Sequence, residues 1–127
     1  MATEPMTETP KIPGWQLVIR FSLEIAAQIA LGLWGYRVWG WPLAIALPVI
    51  AAGLWGTFAV VGDPSRSGKA VVAVPGAVRL AIELLVFLAG AAALAALEKW
   101  WPLGLYVAAL ALHHAQTVPR VRWLLSR

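Results

Sequence analysis

From Trp15 to Trp39 the chain reads WQLVIRFSLEIAAQIALGLWGYRVW, an apolar run long enough to cross a bilayer. It nevertheless carries Arg20, Glu24 and Gln28 at steps of four, which places all three on one face of a helix. Charged groups at bilayer depth are costly and turn toward the bundle interior, where they pair or meet water. The polar face therefore needs a partner, a wet cavity or a proton. The motif recurs in AVRLAIELLVFLAGAAALAAL, where Arg79 and Glu83 repeat the spacing of Arg20 and Glu24.

Composition decides the solvent. The chain is 61% hydrophobic and 13% charged, against about 45–50% apolar and about 25% charged in soluble domains. A soluble helical bundle needs a polar outer face on each helix. LAIALPVIAAGLWGTFAVV and LLVFLAGAAALAAL offer none, so lipid is the simpler surround. The net charge of +4 is scattered, with no basic stripe or nucleic-acid module, so nucleic acid is not an expected partner. Cysteine is absent, which removes disulfides, thiolate chemistry and cysteine metal sites.

These features predict an all-α fold, a four-helix transmembrane bundle with helices at about 15–37, 42–61, 76–98 and 102–118. Residues 1–14 read as a disordered cytoplasmic tail and 119–127 as a basic cytoplasmic tail. The N-terminus lacks the basic start of a signal peptide, so the first helix is expected to remain as an anchor. Pro42 and Pro102 suit the first turns of helices two and four, and Pro48 predicts a kink within helix two. The loop GDPSRSGKAVVAVPG is expected to expose Asp63, Arg66 and Lys69, with VVAV resting on the membrane surface or starting helix three early. Ser67-Gly68-Lys69 lacks both the glycine-rich lead-in and the following hydroxyl of a phosphate loop.

Orientation follows from the basic residues. Apart from Arg37 and Lys99, they lie toward the side shared by both termini and the loop between helices two and three. That side, with both termini, is expected to be cytoplasmic, which makes this a multi-pass membrane protein. Tryptophans 15, 39, 41, 100, 101 and 123 fall near the expected interfaces, where aromatic belts form.

The halves also resemble each other. Val18–Glu24 aligns with Ala77–Glu83, and Trp41-Pro42-Leu43 with Trp101-Pro102-Leu103. This predicts a parallel internal repeat of two helical hairpins, with helices one and three facing across a pseudo-two-fold axis. Arg20 sits about 7 Å into the first helix and reaches the headgroups, whereas Glu24, at about 13 Å, needs a partner, a wet cavity or a proton. Arg20–Glu24 and Arg79–Glu83 pairs within helices, and crossed pairs between them, both satisfy the spacing.

Two readings of the quartet stand side by side: helix glue, or a cytoplasm-facing polar site for a small molecule or ion. Arg20, Glu24, Gln28, Arg79 and Glu83 are its candidate residues. Trp55, His113, His114 and Gln116 form a candidate second layer, in which a histidine bonds Gln28 or a helix carbonyl and Gln116 extends the network. Adjacent histidines cannot both face the core, and two histidines without cysteine make a poor metal or haem site. No cofactor, metal or catalytic residue is assigned, and no hydrolase, protease or dinucleotide motif argues for an enzyme.

RFSLEIAAQIALGLWGY, LWGTFAVVGDP and RLAIELLVFLAGAAAL, taken together, resemble the YrdB-like family of small uncharacterised bacterial four-helix membrane proteins. The matching positions are Arg20, Glu24, Trp55, Gly56, Phe58, Pro64, Arg79 and Glu83, and helix four fits only loosely. The resemblance implies the topology and carries no activity. The expected function is binding or transport of a small molecule or ion, with the bilayer as environment and a homo-oligomer or a membrane-protein partner as assembly. The alternative is a structural or accessory subunit in which the quartet serves only helix packing.

Overall fold

The computed structural model describes residues 9–65 and 70–127. Most of the expected N-terminal tail, residues 1–8, and the loop positions Arg66 and Lys69 lie outside the described residues. Helices α1 (Gly14–Trp39), α2 (Trp41–Thr57), α3 (Gly76–Ala96), α4 (Trp100–Gln116) and α5 (Val118–Leu125) account for most of the rest. Two short strands, β1 (Phe58–Ala59) and β2 (Val72–Ala73), pair in parallel.

The burial pattern is inverted relative to a protein in water. On α1, Val18, Phe21, Ile29 and Leu33 are at least half exposed, whereas Arg20 is 3% exposed. On α3, Leu85 and Leu88 face outward while Arg79 and Glu83 are sealed. Exposing leucine and burying arginine makes sense only where the surroundings are apolar.

Helices α1 and α3 are long and apolar enough to cross a membrane, and only 28% and 39% of their apolar windows are buried. The expectation of four such helices is therefore corrected to two. At 17 residues each, α2 and α4 rise about 25 Å, short of a hydrocarbon core of about 30 Å. α2 begins at Trp41 and α4 at Trp100, with Pro42 and Pro102 in their first turns, and α2 ends at Thr57 rather than near residue 61.

That early end has a local cause. Phe58 turns extended (φ −98°, ψ 116°) and enters β1, where Val74 N–H donates to Ala59 O at 2.9 Å. Val72-Ala73 of this stretch thus supplies a strand rather than an early turn of α3.

Contacts set the helix directions. Arg20 of α1 meets Glu83 of α3, and one heptad further Ala27 meets Gly90, so α1 and α3 run parallel. A Cβ at Gly90 would lie 3.0 Å from Ala27 Cβ, so the missing side chain permits this approach. Phe87 lies beside His114 and Gly90 beside Tyr106, which makes α4 antiparallel to α3. Gly40, at φ +74°, turns α1 into α2 while its N–H bonds Tyr36 O at 2.8 Å.

The apolar core runs along the α1/α3 seam, through Leu23, Ala27, Ala30, Val86, Phe87 and Tyr106. A smaller core of Val60, Trp123 and Leu124 lies at the end bearing the strands. Trp123 and Leu124 belong to α5, a helix in the stretch expected to be a basic tail. Its buried face is Arg120, Trp123 and Leu124, an i, i+3, i+4 stripe too short to register as an apolar helix.

Candidate functional site

Parallel packing of α1 and α3 brings Arg20, Arg79 and Glu83 together between the helices. Glu83 has no exposed surface and is the hub. Arg79 Nε donates to its Oε2 at 2.8 Å along the helix. Arg20 Nη2 lies 2.7 Å from the same oxygen across the seam, off the hydrogen-bond line, as an ion pair. Arg120 of α5 closes the third side with donors at 2.9 Å and 2.6 Å to the two carboxylate oxygens.

Arg120 and Asp63 were not expected at the site. Asp63, expected to be exposed in its loop, is 5% exposed. Arg120 grips it through Nε at 2.9 Å and Nη2 at 2.6 Å, a two-pronged bond across 57 positions of chain. Ser65 adds its N–H and hydroxyl to Asp63 Oδ1, each at 2.9 Å. Burial alone would push the Asp63 carboxyl up, but the Arg120 guanidinium and the Ser65 donors outweigh it and hold the group below the usual carboxylate range. Burial disfavours charge on Arg120 as well, and the two carboxylates it bonds reverse that, holding it above its ordinary value. The only sequence hint was the stripe at Arg120, Trp123 and Leu124 after Pro119.

Arg79 also closes the carboxyl end of α2. Its Nη1 donates to Trp55 O and, at 2.7 Å, to Phe58 O, two carbonyls the helix leaves open. The Trp55 ring is flanked by Arg79 and Arg20, each guanidinium 4.9 Å from the ring centre, and meets the Phe87 ring edge-on at 5.1 Å.

The two Arg/Glu motifs, alike in sequence, differ in space. Glu24 keeps only a 3.7 Å contact with Arg20 and leaves a quarter of its side chain exposed. The crossed pair Arg20–Glu83 forms, and among the described residues the reciprocal pair Arg79–Glu24 does not. Glu24 lies beside Trp55. It opens onto a cavity of about 460 Å³ between α1, α2 and α3, lined with Gln28, Pro48, Val49, Trp55 and Val86.

His113 is the histidine that faces the core. Arg20 Nη1 approaches its Nε2 at 3.4 Å, so Nε2 accepts and the proton resides on Nδ1, which has no partner. His114 turns back to Leu110 O at 2.9 Å, a helix carbonyl as expected. Neither histidine bonds Gln28, whose Oε1 is buried without a partner, as is Gln116 Oε1. Among the described residues no three histidine, aspartate or glutamate groups are placed to hold a metal.

A family model described as a protein of unknown function (DUF2568) matches residues 18–116. The chain belongs to this family. It is also 38% identical over 122 residues to the uncharacterized protein YrdB of Bacillus subtilis (strain 168), covering 92% of this chain and 98% of that protein. No solved structure matches. The DUF2568 match takes in Arg20, Glu24, Asp63, Arg79, Glu83 and His113, and stops short of Arg120. The bundle and most of the ionic hub are thus inside the family region, and α5 lies beyond it.

Proposed function

We propose that this protein is a multi-pass protein of the bacterial inner membrane that binds a small molecule in the cavity at Glu24. All four long helices cross, the shorter α2 and α4 by local thinning of the bilayer, and both termini are cytoplasmic. The parallel course of α1 and α3 supports descent from a duplicated hairpin. On this reading the ionic hub is the rigid floor of the site.

The observation that carries it is the division of labour between the two glutamates. Glu83 is saturated by three guanidiniums, whereas Glu24 is left weakly paired and open to a cavity of about 460 Å³. That volume falls within the range of small-molecule sites. A carboxylate at this depth without a strong partner is expensive unless water, a proton or a ligand meets it, and the open cavity admits a ligand.

The accessory-subunit reading rests on a different observation. Arg20, Arg79 and Arg120 against Glu24, Asp63 and Glu83 make three positive and three negative charges, a network that closes on itself. Native mass spectrometry of gently extracted protein separates the two. A reproducible non-lipid mass, lost when Ala52→Phe fills the cavity, supports the binding site, alone or in a homo-oligomer. A stoichiometric complex with a different membrane protein and an empty cavity supports the accessory role and overturns the first reading.

A further inference from the structure

On α1, Val18, Ser22, Ala26, Ile29, Leu33 and Arg37 follow one another at steps of three or four, a single stripe along the helix. Glu24 and Gln28 fall on the opposite side of α1. Two cavities of about 430 and 390 Å³ open along the stripe against α4, and both are lined by Ala26, Pro102 and Tyr106. They join into one groove, which shares no lining residue with the cavity at Glu24. Its hydroxyls are already spent, Ser22 donating to Val18 O at 2.8 Å and Tyr106 to Phe87 O at 2.7 Å. The body of the groove therefore offers apolar contact and no free hydrogen bond.

One end is different. Lys99, in the turn before α4, lines the groove beside Leu33, and Arg37 follows Leu33 by one helical turn on the same face. Both side chains are exposed, and among the described residues neither enters an ion pair. Because α1 and α3 run parallel, this end lies opposite α5. Arg37 is the one basic residue between Arg20 and Arg66, and Lys99 the one between Arg79 and Arg120. Against Glu98 they leave this end with a net charge of +1.

Length fits as well as charge. Ala26 lies about 10 Å along α1 from Leu33, and the hydrocarbon of one leaflet is about 15 Å thick. An acyl chain entering at Leu33 thus passes Ala26, where the two cavities meet. A second copy placed by a two-fold axis along the membrane normal would instead bring the same cations together.

We propose that the groove between α1 and α4 holds an anionic phospholipid, its phosphate between Lys99 and Arg37 and an acyl chain along the α1 stripe. The net charge of this end matches one phosphodiester, a match that a headgroup carrying its own ammonium forfeits. On the topology proposed above, the lipid belongs to the non-cytoplasmic leaflet. The site is separate from the Glu24 cavity and does not depend on what that cavity binds.

The test uses the full chain in nanodiscs of equimolar palmitoyl-oleoyl phosphatidylglycerol and phosphatidylethanolamine, with retained lipid read by native mass spectrometry after release. One phosphatidylglycerol per chain is expected, favoured over phosphatidylethanolamine by about fivefold or more. The surface double variant Arg37→Gln/Lys99→Gln should lose that preference, whereas Lys11→Gln, an exposed cation at the other end, should keep it. Ala26→Phe should lower retention of both lipids, and if it fails to fold the charge variants decide alone. Ala52→Phe, in the Glu24 cavity, should leave the lipid in place, so the two sites can fail separately. Equal retention of the two lipids overturns the proposal, as does a preference that survives the double variant or vanishes in Lys11→Gln. A dimer that Ala26→Phe splits into monomers puts a second copy in the groove and overturns it too.

Discussion

Neutralising the two glutamates one at a time separates a hub from a site. In Glu83→Gln, a fully buried carboxylate that contacts three guanidiniums at 2.6–2.9 Å becomes a neutral amide. Removing one member of a buried ion pair costs about 3–5 kcal/mol, because the partner charge stays buried. Here the partners have reserves: Arg79 keeps the Trp55 and Phe58 carbonyls and Arg120 keeps Asp63. Arg20 alone is left with a weak substitute, Glu24 at 3.7 Å. The cost therefore belongs at the lower end, about 3 kcal/mol. Glu24→Gln removes a loose, quarter-exposed pair and should cost about 1 kcal/mol or less. Unfolding from dodecylmaltoside micelles with increasing SDS, followed by circular dichroism, reads both. The double variant Arg20→Gln/Glu83→Gln should cost at least about 1 kcal/mol less than the sum of its singles, since it removes opposite charges in contact. Equal costs for the two glutamates would refute the asymmetry and restore a symmetric lock.

Asp63→Asn should release α5 from the bundle, at a local cost of about 3 kcal/mol, read as new chymotrypsin cleavage at the otherwise buried Trp123. Because the folded Asp63 value is depressed, its stabilisation is complete above the ordinary value of 3.8 and is lost as pH falls through the folded value. Pepsin should accordingly begin to cut α5 only below about pH 4, and the Asn variant should lose that dependence. A Cβ at Gly76 would lie 1.5 Å from Leu124 O, so Gly76→Ala should displace the end of α5. The expected penalty is about 1–3 kcal/mol, with the same Trp123 cleavage. Glu98 sits at φ 57° in the α3–α4 turn, so Glu98→Gly should stabilise the protein by about 1 kcal/mol in the SDS titration.

What the sequence reveals depends on the range of the interaction. Helices α1 and α3 are legible because hydropathy and the four-residue spacing of Arg and Glu are local properties. The crossed Arg20–Glu83 pair was one of two arrangements allowed by spacing. Asp63–Arg120 was hidden, because it joins a loop to a helix 57 residues away and neither end has an apolar pattern long enough to announce burial. Asp63-Pro64 reads as an exposed turn, and RVRWLLSR as a solvated basic end. The fate of α2 was also nonlocal: its last carbonyls are taken by Arg79 of α3, and its chain continues into a strand pair with Val72. Gln28 was legible as a residue on the polar face, but not as one lacking a hydrogen-bond partner.

The difference between Glu24 and Glu83 cannot be written into either helix, since both carry Arg four residues before Glu. Two matched pairs on facing helices would satisfy each other and leave no group for a ligand. A fifth helix changes that balance. Arg120 reaches Glu83 and not Glu24, and it brings Asp63 as its own counter-charge, so the hub gains a cation without gaining net charge. Glu83 then holds Arg20 and Arg79 as well, and the guanidiniums are drawn to one side of the seam. Glu24 is left facing α2, where Pro48 and the small residue Ala52 leave room beside Trp55. A short helix, packed at one end of the bundle, thereby separates two carboxylates that are alike in sequence into one that locks the helices and one that faces the cavity.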